Sequence, residues 1–218
     1  SEMCIRDRAI AGLYTETCQL VVRADSNIQT LDDLSGHTVS IGAEESGTER
    51  NATQILEFAG MPSSLVATKN LDYIEATKEL KAGDIDAFFC TAGLTTTVID
   101  ELSKECDIRL IPLTDTVISK MLESSLAYTS EVIPAGTYTG QTTDISTIGV
   151  KSVLITKADV SDDTIEQLTS LLFEKENEIS YSNSLKLELT YDFATDDIPI
   201  PFHDGAKRYY KACGYSTN

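Results

Sequence analysis

Short β-rich runs take turns with stretches of helical periodicity along most of this chain, and that alternation admits few folds. The strand-like runs are residues 19–23 (QLVVR), 38–42 (TVSIG), 85–90 (IDAFFC), 108–113 (IRLIPL) and 148–156 (IGVKSVLIT). Between them, residues 48–58 carry Ala52, Ile55, Leu56 and Ala59 at the spacing of one buried helix face, and Gly60 and Pro62 mark the end. Residues 74–81, closed by Gly83, and residues 95–104 and 114–126 read as further helices. Another begins near Ser161, with Asp162 and Asp163 in its first turn against the positive end of the helix dipole. Its expected apolar face is Ile165, Leu168, Leu171 and Leu172. Residues 31–34 predict a helical turn ended by Ser35 and Gly36. Residues 133–136 read as a loop, and the tail from 198 to 215 combines two prolines with an aromatic cluster. The pattern predicts an α/β fold with a mainly parallel sheet.

Composition narrows the function classes. Seventeen Lys and Arg against 35 Asp and Glu leave a net charge of −18, which repels phosphate backbones, and no basic patch offsets it. No nucleic-acid partner is expected, and no polybasic segment is available to hold an anionic membrane surface. No run approaches the ~20 apolar residues of a membrane span. The five cysteines (Cys4, Cys18, Cys90, Cys106 and Cys213) include no CxxC pair, and most are read as small buried hydrophobes. With His37 and His203 as the two histidines, neither a metal site nor a cofactor is expected. The opening octet (SEMCIRDR) differs in character from the rest of the chain and resembles a translated sequencing-adapter remnant. On that reading residues 1–8 are a non-native leader, and the lack of a visible signal peptide says nothing of location.

Two segments carry candidate chemistry. The first, residues 42–49 (GAEESGTE), joins a strand to a helix, where the first helical N–H groups have no intrahelical partner. Ser46, Gly47 and Thr48 would present backbone and hydroxyl donors to a carboxylate, although plain N-capping explains the same residues. Gly42 and Gly47 have phosphate-loop spacing, but Thr48 and Glu49 stand where Lys and Ser/Thr belong, and Glu44 and Glu45 would repel a triphosphate. A nucleotide-hydrolase site is rejected. The second segment, Thr91, Ala92 and Gly93, follows the IDAFFC run, and ligands of open α/β sheets sit beyond the carboxyl ends of strands. On the local sequence alone a simple turn is the favoured account of it. No catalytic set emerges: there is no Gly-x-Ser-x-Gly elbow, and both histidines read as structural.

From Leu13 onward the chain resembles the TAXI family of TRAP transporter solute receptors. The blocks that carry this are LYTE at 13–16 running into QLVVRADS, LDDLSG at 31–36, VSIGAEESGTERNATQILEFAG, LKAGDIDAFFCTAG, IPAGTY at 133–138 and the tail IPIPFHDGAKRYYKACG. The resemblance implies a two-lobed periplasmic-binding-protein type II fold with the first lobe incomplete. Residues 9–23 would be a hinge strand and a remnant of lobe one, 24–134 lobe two, and 135–218 the return to lobe one with C-terminal helices. It implies an extracytoplasmic, non-enzymatic and monomeric receptor, periplasmic in location. Such a receptor would capture a small carboxylate or amino acid, such as glutamate or 2-oxoglutarate, for a fused TRAP membrane subunit. It also adds Tyr14, within LYTE, to the ligand-binding set. Two departures weaken transfer of the ligand: Asp204 follows His203 where the family often has Pro, and TAGLTT lacks a proline common there. An enzyme or effector-sensing domain on the same bilobal scaffold is the alternative.

Overall fold

The long strand β1 (Asp7–Arg23) organises the molecule. The structure, a computed structural model, describes residues 6–176, 178–179 and 187–217. Two compact units result: a central unit, Glu16–Val150, and a terminal unit made of the chain up to Thr15 and from Lys151 onward. The chain passes from one to the other within β1 and within β7 (Ile145–Lys157).

The α/β expectation holds. In the central unit β2 (Thr38–Ser40) pairs in parallel with β3 (Ala67–Lys69) and with β4 (Ala87–Ala92). On the other side of β4 lies β1, antiparallel, with Leu20 opposite Phe89. The remaining strands are β5 (Ile108–Leu110), antiparallel to β1, and β6 (Tyr128–Ile133), antiparallel to β7. The sheet order is β3-β2-β4-β1-β7-β6, with β5 added on β1.

The apolar run around β4 reflects burial on both faces. Ala87 and Phe89 join Leu20, Val22 and Val39 beneath α1 (Gly47–Phe58). Phe88 and Cys90 join Val21 beneath α2 (Tyr73–Ala82) and α3 (Thr97–Glu105). Successive strand residues point to opposite faces, so one continuous hydrophobic segment feeds two cores. The helix α4 (Asp115–Ser124) adds Val117, Ile118 and Met121 to the first core. The strand β6 escapes the sequence reading because its face pattern is weak: Thr129, Ser130 and Glu131 are polar, and Val132 is exposed.

In the terminal unit α5 (Asp162–Glu174) starts at the Ser161 N-cap, as its sequence requires. Its apolar face differs from the expected one. Ile165 and Thr169 are buried and Leu172 is half-buried, whereas Leu168 and Leu171 are 38% and 49% exposed. At 100° per residue, positions 165, 169 and 172 form one stripe while 168 and 171 flank it. Thr169 tolerates burial because its hydroxyl donates to Ile165 O at 2.7 Å. Two short helices follow, α6 (Tyr191–Thr195) and α7 (Asp204–Ala212). Between them Ile198, Ile200 and Phe202 are buried while Pro199 and Pro201 are exposed, an extended alternation. His203 caps α7 through Nδ1, which accepts from Gly205 N–H at 3.1 Å, and the ring is buried. His37 Nδ1 lies 3.2 Å from Asp86 Oδ2. Both histidines therefore have structural partners.

The cysteines divide. Cys18 and Cys90 are buried, Cys106 is half-buried and Cys213 is exposed, while Cys4 lies outside the described residues. Burial pushes the Cys18 thiol up to about 12, and burial likewise raises Cys90. A thiol reagent at about pH 8 is expected to label Cys213 in the native protein and to spare Cys18 and Cys90 until denaturant is added, because the thiolate is the reacting form. Mass mapping of labelled peptides checks this, and native labelling of Cys90 would contradict the described core.

Candidate functional site

The two segments singled out by sequence meet in the central unit. Ser46 is the N-cap of α1, and its Oγ accepts from Glu49 N–H at 3.1 Å. That is the bland role, yet a hydroxyl accepting one bond keeps its own proton to donate. The N–H groups of Gly47 and Thr48, ahead of the capped Glu49, have no intrahelical partner. Gly42 makes the sharp exit from β2 with φ +96°, and Thr48 packs against it so closely that an added Cβ would lie 2.8 Å from Thr48 Cβ.

Thr91 and Ala92 are the last residues of β4, and Gly93 begins the loop beyond it. What joins them to the α1 loop is Tyr73, the first residue of α2. Its hydroxyl lies 2.6 Å from Thr48 Oγ1, donates to Thr91 O at 3.0 Å, and accepts from Thr91 N–H at 3.3 Å. Burial, then the nearby Cys90, pushes this phenol up to about 12, so it keeps its single proton at neutral pH. Thr91 O can only accept, and we assign the phenol proton to it. Thr48 must therefore donate to Tyr73, and its hydroxyl is spent inside the protein. Of the three residues expected to present donors, Ser46 offers a hydroxyl, Gly47 a backbone N–H, and Thr48 only its backbone N–H.

On the other face of β4, Asn51 Nδ2 donates to Thr91 Oγ1 at 3.3 Å, and Tyr128 OH donates to Asn51 Oδ1 at 3.0 Å. A further buried network holds the loop after Gly93. Thr96 Oγ1 donates to Gly93 O at 3.0 Å and accepts from Gln19 Nε2 at 2.8 Å, while Tyr138 OH donates to Gln19 Oε1 at 2.5 Å. Sequence reasoning missed Tyr73, Asn51, Tyr128, Gln19 and Tyr138. One signal was available for Asn51: a polar residue beside the apolar positions Ala52 and Ile55 of α1. Nothing in the local pattern marks the others.

Tyr14 lies in β1 within the terminal unit, half-buried, whereas the other six expected site residues lie in the central unit. The loop before α1 is acidic. Glu49 accepts from Glu45 N–H at 2.6 Å and from Asn70 Nδ2 at 2.7 Å, and Glu44 is exposed beside it. Elsewhere in the central unit a surface pocket of about 500 Å³ opens beside Arg109 and Asp144. Three of its polar side chains are engaged: Arg109 donates to Ala24 O and Ile28 O, Asp144 accepts from Ala135 N–H, and Gln141 donates to Pro134 O. Among the described residues no cluster of His, Cys, Asp and Glu could hold a metal ion, and no helix is long and apolar enough to cross a membrane.

Residues 6–214 match the model of the NMT1-like family. Among solved structures, the chain is similar to the periplasmic aliphatic sulphonate binding protein SsuA from Escherichia coli, with 14% identity over 82% of this chain and a TM-score of 0.47. It is similar to a mutant of ArgBP from T. maritima, with 16% identity over 83% and a TM-score of 0.44. It is also similar to Tv2483 bound to L-arginine, with 17% identity over 84% and a TM-score of 0.49. The chain spans 52%, 60% and 62% of the length of these three proteins.

Proposed function

We propose, from the premise that the chain belongs to the NMT1-like family, that it is an extracytoplasmic receptor which binds a small carboxylate-bearing solute and delivers it to a membrane transporter. The observation that carries this reading is the convergence of the α1 start and the Thr91–Ala92–Gly93 loop on one hydroxyl, that of Tyr73. A solute carboxylate would take the N–H groups of Gly47 and Thr48 and the O–H of Ser46. Oriented peptide dipoles at a helix start favour negative charge. Besides the glutamates of the entry loop, the groups around the site are hydroxyls, amides and phenols held in fixed partnerships, an arrangement suited to binding. The resemblance to TAXI receptors supports a TRAP-type membrane partner and a periplasmic setting, and the assignment of Tyr14 as a ligand contact rests on its LYTE block alone. The lobe assignment, 24–134 with a return over 135–218, rests on the same resemblance.

The acidic loop sharpens the ligand class. Glu44, Glu45 and Glu49 sit within or beside the α1 entry. Such a setting disfavours a second negative charge on the ligand and favours a cationic group next to its carboxylate. We therefore rank glutamine, a zwitterion with a single carboxylate, above glutamate, and glutamate, whose ammonium offsets one of its two carboxylates, above 2-oxoglutarate.

A thermal-shift screen of the full chain tests this. An amino acid present at about 100 times its dissociation constant is expected to add about 2.7 kcal/mol of stability. The shift should shrink on Ser46→Ala, which removes both the cap and the free hydroxyl donor. A folded protein that responds to no amino acid or carboxylate would overturn the ligand class and favour an enzyme or effector-sensing domain.

A further inference from the structure

The strand β2 stops early. Its last paired residue, Ser40, lies beside Phe88, and the chain then turns away through Gly42. Three positions further along β4, Thr91 still pairs with Cys18 of β1 on one side, but on the other its N–H and C=O have no strand to meet. Buried backbone groups left unpaired are costly. Here both are satisfied by one side-chain atom, the Tyr73 hydroxyl, which also receives the Thr48 hydroxyl. Tyr73 thus stands at the carboxyl ends of two parallel strands, beside the last residues of β4 and past the end of β2, the side on which α/β sheets bind ligands.

We propose that Tyr73 is a positioning residue: it replaces the missing strand partner of Thr91 and sets the separation between the α1 donor loop and the Thr91–Ala92–Gly93 loop. The inference rests on the solute-site reading for its consequence, but the clamp itself is a property of the protein without ligand. Three features make the clamp specific. Tyr73 sits at the start of α2, where the Asp72 side chain accepts from Glu75 N–H at 2.8 Å and anchors the turn. The phenol keeps one proton, so its donor and acceptor roles cannot be exchanged. Thr48 is held from below by Gly42, so movement of Tyr73 is felt by the first turn of α1.

The test compares the full chain with Tyr73→Phe and Thr48→Val by amide hydrogen exchange and by titration with L-glutamate and L-glutamine. Loss of one buried hydrogen bond is expected to speed exchange at the Thr91 amide about tenfold in Tyr73→Phe. Exchange should quicken likewise over Gly47–Glu49, with the amides of Ile108–Leu110 unchanged. Thr48→Val, which keeps the phenol and its shape, should quicken Thr91 as well, because the phenol loses one of its three partners. Affinity for whichever amino acid binds should fall about tenfold in Tyr73→Phe, with the melting temperature lowered by several degrees because the Thr91 backbone groups lose their partner. Unchanged Thr91 exchange in both variants overturns the clamp. Acceleration spread evenly over the central unit also overturns it, since that is the signature of a merely structural residue. If Tyr73→Phe does not fold, Thr48→Val decides alone. If neither amino acid binds the unaltered chain, the solute reading falls, while the exchange pattern still settles the clamp.

Discussion

Replacing Gly42 with Ala is expected to cost about 3 kcal/mol and to abolish the solute binding proposed for the α1 loop. Two effects add. The backbone sits at φ +96°, a region that side-chain-bearing residues rarely adopt. The new methyl would also meet Thr48 Cβ at 2.8 Å, Thr48 Cγ2 at 2.9 Å and Ser46 Oγ at 3.1 Å. Ser46 cannot yield without losing the bond that caps Glu49, and Thr48 cannot yield without leaving Tyr73. The damage falls on the residues that present donors. Gly47→Ala is the matched control: it has no atom within 4 Å of the added Cβ and retains its N–H. That substitution should change stability by less than about 0.5 kcal/mol. Denaturant midpoints of the two variants check the contrast, and equal midpoints would contradict the described loop.

The second large effect is expected in the terminal unit. A Cβ at Gly205 would overlap Asp162 O and lie 3.0 Å from Glu166 N, both backbone atoms of α5. No rotamer relieves a clash with backbone, so α5 and α7 must move apart. We expect Gly205→Ala to cost at least about 3 kcal/mol, the upper end of overpacking effects. The separation would also break the pairs from Arg208 to Asp162 at 2.6 Å and to Asp163 at 3.1 Å, although exposed pairs add little. Phe173 on α5 stacks on Tyr209 and meets Tyr210 edge-on, so displacement of the helices should weaken near-ultraviolet circular dichroism as well as the denaturation midpoint. A Gly205→Ala protein with the original midpoint and spectrum would contradict the packing of α5 against α7.

The elements that sequence located well are those whose boundaries depend on neighbours in the chain. Gly83 closes α2 in a left-handed conformation, with φ +83°. Thr114 and Ser161 cap their helices through bonds to the residue three positions on. Asp162 and Asp163 lie in the first turn of α5 as their charge predicts. Errors arose where a distant contact decides. The run 108–113 is cut to β5 because pairing with β1 ends at Leu110, and Pro112 has no N–H to extend it. Leu168 and Leu171 are exposed because the surface that α5 packs against is set by α7 rather than by the count of leucines.

By itself the sequence determined the α/β class, the order of β1, β2, β4, β5 and β7 with the helices α1 to α5, and the two glycine-containing loops at strand ends. Each of these follows from the period and capping chemistry of residues a few positions apart. Only the tertiary structure decided which donors remain available. Thr48 and Tyr73 are 25 residues apart, and Tyr73 and Thr91 are 18 apart, yet with the phenol proton assigned to Thr91 O the Thr48 hydroxyl is engaged within the protein. Hydrogen-bond partners across such separations leave no periodic trace in a chain, because they are chosen by where strands end and helices begin in space.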